Sequence, residues 1–68
     1  MFVIQVVNSE GFVGYIKSIS PRHPIGFSIT SHLAYAKVYK NVDTVMGAID
    51  DCARSSFGMG YQFTYVPK

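Results

Sequence analysis

Phe2-Val3-Ile4-Gln5-Val6-Val7-Asn8-Ser9-Glu10-Gly11-Phe12-Val13-Gly14-Tyr15-Ile16-Lys17-Ser18-Ile19 decides the fold. Residues 2–7 are β-branched and aromatic and read as a strand, with Phe2, Ile4 and Val6 on one face and Val3, Gln5 and Val7 on the other. Asn8-Ser9-Glu10-Gly11 is turn chemistry, Gly11 being the candidate for positive φ. Residues 12–19 form the returning strand, so the two make an antiparallel hairpin. Gly14 inside it permits a bulge or a close backbone approach.

Downstream, Ser20-Pro21-Arg22-His23-Pro24 must be a loop, because its two prolines stop both helix and ladder. Ile25 to Ile29 reads as a short extended piece. Thr30-Ser31 caps one helical turn over His32–Tyr35, and Ala36-Lys37-Val38-Tyr39 reads as a short strand. The helix begins after Asn41, an N-cap residue, with Asp43 in its first turn. Val42, Val45, Met46, Ile49, Cys52 and Ala53 follow helical spacing, while Asp50, Asp51 and Arg54 take the other side. Gly47 weakens that helix and is read as room for a closely approaching strand. Phe57-Gly58-Met59-Gly60 ends it, and Tyr61–Val66 alternates as a last strand closed by Pro67.

The expected class is α+β: a small antiparallel sheet of three to four strands packed on one amphipathic helix, in ββ-(β)-α-β order. Residues 1–68 form a single domain. One helix covers one sheet face, so its stripe should meet Phe2, Ile4, Val6, Phe12, Ile16 and Phe63. Alternation then places Val3, Gln5, Val7, Val13, Tyr15, Lys17, Ile19, Gln62, Thr64 and Val66 on the opposite face. Most of these are apolar or aromatic, whereas a solvated face is mostly polar. Either this face is an interface, or the segment 25–39 folds over it.

A domain of 68 residues buries only about 60% of its unfolded surface. One cysteine, Cys52, excludes an internal disulfide, so stability must come from packing of the 49% hydrophobic residues. Five Phe and five Tyr are many for so small a core, which places some at the surface, where aromatics bind partners. The net charge of +2 is too slight and too scattered for dense nucleic-acid binding, and it excludes a DNA mimic. The opening residues lack the basic region and cleavage site of a signal peptide, and their apolar run is too short to span a bilayer. With one unpaired thiol, the expected location is the cytoplasm.

No catalytic set can be assembled. His23 and His32 have no carboxylate or thiol at ligand spacing, so no metal or other cofactor is expected. Cys52 lies on the helix stripe and reads as core rather than nucleophile. Asp43, Asp50 and Asp51 read as a solvated helix face. Gly58-Met59-Gly60 follows a helix and is no phosphate loop. The chain is therefore read as a non-enzyme.

Two surfaces remain as binding candidates. The sheet face of Val3, Gln5, Val7, Val13, Tyr15, Lys17 and Val66 is the expected partner site, on a host protein or on a second copy in a homodimer. A secondary surface joins Arg22, Lys37, Tyr39 and Lys40; with Tyr15 and Lys17 it supplies aromatics beside lysines, as single-stranded nucleic-acid binders do. Ordinary surface lysines beside core tyrosines are the plainer account of that second set, and nucleic acid ranks below protein as a partner.

The stretch Ile29-Thr30-Ser31-His32-Leu33-Ala34-Tyr35-Ala36-Lys37-Val38-Tyr39-Lys40 resembles a pattern in small bacteriophage proteins. There a hairpin leads through a Thr-rich entry and an Ala-Lys turn into a hydrophobic-x-aromatic strand and a helix. Here that helix opens as Asn41-Val42-Asp43-Thr44-Val45 rather than Thr-x-Glu-Glu-Ala. The region from the helix to Pro67-Lys68 is similar to a small phage inhibitor of bacterial RNA polymerase. The resemblance implies short host-takeover proteins that bind and inhibit a bacterial protein of transcription or defence, without catalysis, in the host cytoplasm and often as dimers. The alternatives are a single-stranded nucleic-acid-binding module and a structural homodimeric accessory protein.

Overall fold

Asn8 and Gly11 turn the chain back on itself: the Glu10 N–H donates to Asn8 Oδ1 at 2.9 Å, and Gly11 has a φ of +117°. In the computed structural model, which describes residues 1–68, this turn joins β1 (Phe2–Asn8) to β2 (Gly11–Ile19). β3 (Phe27–Thr30) follows the proline loop, then a 3₁₀ turn at Leu33–Tyr35, α1 (Val42–Ser55) and β4 (Gln62–Pro67). The four strands form one antiparallel sheet in the order β3-β2-β1-β4, so the expected α+β class holds.

Alternation along β2 is broken twice. Val6 pairs with Gly14 and Val7 with Phe12, leaving Val13 as the extra residue of a β-bulge. Ile16 pairs with Ile29 and Ser18 with Ser28, which leaves Lys17 as a second. Each bulge shifts the side chains beyond it to the other face and adds twist. Three sequence expectations are therefore corrected. Phe12 lies on the face away from the helix, against Tyr15 at a ring separation of 5.2 Å. Val13 and Ile19, expected on that outer face, pack against the helix-side core.

Gly14 is where the sheet closes tightest. A Cβ there would sit 2.6 Å from Ile29 Cγ2 and 2.7 Å from the Thr30 carbonyl oxygen, so no side chain fits.

The core lies between the sheet and α1 and consists of Ile4, Val6, Ile16, Phe27, Tyr39, Val45, Ala48 and Cys52. Asn41 starts the helix as expected: its Oδ1 accepts from the Thr44 N–H at 2.9 Å and from the Thr44 hydroxyl at 2.8 Å. The helix lies over β1 and β4 and buries Val45, Ala48 and Cys52. Met46, expected in the buried stripe, is 55% exposed, as the inward direction is set by the 45-48-52 line. Gly47 faces open space: a Cβ added there would meet nothing within 4 Å, so this glycine does not admit a neighbouring strand.

Ala36–Tyr39, expected as a strand, makes one bridge, in which Phe2 and Tyr39 exchange N–H···O bonds of 2.8 Å each way. The Lys37 N–H donates to the Ile16 carbonyl at 2.9 Å. Beyond the Gln5–Tyr15 pair, this segment therefore fills a fork between β1 and β2.

Candidate functional site

The outer sheet face is built by the odd residues of β1 and the residues that face them. Gln5 stands between Tyr15 and Thr64, and Val7 between Phe12 and Gln62. Toward the Met1 end this face is closed. Val3 is fully buried and Ala36 nearly so, yet neither belongs to the helix-side cluster. Val66 pairs with Val3 on one side, and the Phe2–Tyr39 bridge continued by one residue sets Val38 opposite it on the other. The middle segment thus covers part of the expected interface, and Val3 is withdrawn from it.

What stays accessible is the hairpin end. Phe12 is 52% exposed and meets the half-buried Tyr15 edge-on, beside Gln5, Val7, Gln62 and Thr64. Aromatic rings amid neutral polar groups are typical of the centre of a protein interface. Lys17 is exposed on its bulge, and Val66 is half-buried.

The turn Phe57–Gly60 enters the sheet at this same end, since β4 starts at Gln62, opposite Val7 and thus one strand from Phe12. Phe57 is 91% exposed and Met59 50%. Sequence reading treats this turn only as a helix terminator. The signal for more is two large apolar residues alternating with glycines, a pattern that stopping a helix does not require.

The secondary surface does not hold together. Tyr39 is 6% exposed and inside the core, so its ring cannot stack a base. Lys37 Nζ lies 5.6 Å from the centroid of that ring and covers it. Lys40 is exposed just before the start of α1, whereas Arg22 belongs to the loop that returns to Gly26, against Ser55 at the helix's other end. The helix itself is about 20 Å long, which keeps Arg22 well away from Lys40. His32 packs edge-on against Tyr35, at 5.6 Å between centroids.

Cys52 is buried, and burial, reinforced by the charge of Asp51, pushes its thiol up to about 11. It stays protonated at neutral pH and is shielded from solvent. No group of three or more His, Cys, Asp or Glu side chains gathers at metal-binding distance. No helix is long and apolar enough to cross a membrane. The one ion pair, Arg54 with Asp50, joins successive turns of the exposed helix face. Compared with known proteins, the chain matches no protein-family model, no curated protein sequence and no solved structure.

Proposed function

We propose that this chain is a small non-catalytic protein of the phage type, which binds and inhibits a bacterial host protein of the transcription or defence machinery in the host cytoplasm. The observation that supports it is the Phe12–Tyr15 pair: two rings brought onto one accessible face by the bulge at Val13, in an otherwise neutral polar setting. Phe57 and Met59 are exposed as well, on the turn that leads into β4 at the same end of the sheet. Single-stranded nucleic acid is the weaker reading, because burial of Tyr39 removes the ring on which its basic patch depends.

Affinity capture from bacterial lysate tests the reading. The wild-type chain should retain one stoichiometric protein, and Phe12→Asp and Tyr15→Ala should each lose it while keeping the wild-type circular dichroism spectrum. Capture that survives both substitutions overturns the assigned face, and capture of nothing from any plausible host overturns the function. Strong, salt-sensitive anisotropy with labelled single strands would instead favour the nucleic-acid alternative.

A further inference from the structure

β4 is an edge strand with little of the usual protection. Natural edges are blunted by lysines, prolines, inward charges, bulges or shortness, and of these β4 has only a proline at its last residue, Pro67. The opposite edge, β3, is only four residues long and pairs with a bulged strand. β4 pairs with β1 in regular register over its whole length and carries no charged residue from Gln62 to Pro67.

Its free backbone groups can be identified. Phe2 uses both its N–H and its C=O on Tyr39, so they point away from β4. Polar groups alternate along a strand, so Val3, Gln5 and Val7 bond Val66, Thr64 and Gln62. Phe63 and Tyr65 therefore aim both their N–H and their C=O at the open side.

The helix flank above this edge is apolar and uncovered. Tyr39 lies on the side of β1 away from β4 and packs in the same core cluster as Cys52, with the Asp51 carboxylate near enough to raise its hydroxyl. At about 100° per residue, Val42, Met46, Ile49 and Ala53 fall on the flank opposite Asp51, toward the β4 edge. Met46 is 55% exposed, Val42 36% and Tyr65 37%, and no charged residue interrupts this stripe.

We propose that a second copy of this chain docks on that edge, β4 antiparallel to β4 about a two-fold axis at Thr64, joining two four-stranded sheets into one. The strand is self-complementary in this register. Phe63 faces Tyr65 of the other copy at sites that exchange both backbone bonds, and Thr64 faces Thr64 at the closer, non-bonded site between them. Val66 meets Gln62, and Pro67 falls opposite Tyr61, where only its carbonyl is used. Above the seam, the Val42–Met46–Ile49 flanks of the two helices meet and shed water. Because the charge of +2 repels a like copy, an uncharged edge suits self-association. Gln62 and Thr64 border the seam, but the Phe12–Tyr15 pair itself lies on β2, with β1 between it and β4, and stays free, so Phe12→Asp separates this inference from the host-protein reading.

Sedimentation equilibrium and a cysteine probe test it together. At micromolar concentration the chain should run as a dimer of about 15 kDa, twice its 7.5 kDa. Thr64→Lys, at an exposed position, sets two ammonium groups across the axis and should weaken the dimer by about tenfold or more. Met46→Lys should act likewise, and Phe12→Asp should leave the dimer intact. Thr64→Cys should form an intermolecular disulfide under mild oxidation, since facing non-bonded positions bring the two Cβ atoms within bridging range. A monomer up to roughly 100 µM, or a dimer indifferent to Thr64→Lys, overturns the proposal. So does a dimer that Phe12→Asp breaks.

Discussion

The Phe27 ring stands edge-on to Phe63 at 5.5 Å between centroids, although the two residues come from opposite edge strands of the sheet. In a flat sheet, edges three spacings apart are about 14 Å distant. The bulges at Val13 and Lys17 supply the extra bend, and Tyr61 joins the closure at 6.4 Å from Phe27. The core is therefore enclosed by the sheet's own curl as well as by α1, and that enclosure depends on one ring.

Phe27→Ala should be among the most damaging single changes. The residue is fully buried, and removing such a ring costs about 3–5 kcal/mol. That is comparable with the whole stability of a domain this small, about 3–5 kcal/mol. Circular dichroism at 25 °C should show the variant largely unfolded. Phe57→Ser, by contrast, should shift the urea midpoint by no more than about 0.5 kcal/mol equivalent, as its side chain is almost wholly in water.

The hairpin, the helix and the last strand are legible in the sequence because each keeps a strict period: two in Phe2–Val7 and Gln62–Val66, helical spacing from Val42 onward. The faces of β2 are not. A bulge leaves no compositional trace, so alternation carried across Val13 and Lys17 assigns Phe12, Val13 and Ile19 to the wrong sides. The middle segment is also illegible, because Tyr39 is held by a single long-range bridge to Phe2 rather than by any local pattern. Alternation does place Tyr15 on the outer face beside Gln5, and Phe12, its neighbour there, is found only once pairing is known.

Gly47→Ala and Gly14→Ala should have opposite signs. At Gly47 an added methyl meets nothing, and exchanging glycine for alanine in a helix interior gains about 1 kcal/mol. At Gly14 the same methyl collides with backbone as well as with Ile29, so the strand must shift, at about 1–3 kcal/mol. Paired urea titrations decide it. A destabilised Gly47→Ala would show that the helix face at that point is in use.

Alkaline pH should weaken the fold through Cys52. Its thiol is raised from 9.0 to about 11 by burial first and Asp51 second. Below pH 9 both folded and unfolded chains keep the proton, so this group contributes nothing to the pH dependence. Between 9 and 11 the unfolded chain releases it while the native state holds it, so stability falls as pH rises, then levels off. Burial likewise raises Tyr39 above its ordinary 10.0 and adds to the fall in the same direction. Urea midpoints from about pH 8 to 11 should show a downward slope that Cys52→Ala flattens. A slope unchanged in that variant would place the titration elsewhere.

Tyr39→Phe should leave the fold intact and strengthen it. The Tyr39 hydroxyl is buried without a hydrogen-bond partner, so the native state forgoes bonds that water supplies in the unfolded chain. Deleting the oxygen keeps the ring, its packing against the core and the backbone bridge to Phe2, none of which involves the hydroxyl. The expected gain is about 1 kcal/mol, read as a higher urea midpoint at unchanged slope. The alkaline loss of stability should also become shallower, because one of the two raised groups is gone while Cys52 remains. A loss of more than about 1 kcal/mol would mean that the hydroxyl is bonded, and the orphaned-hydroxyl account would fail.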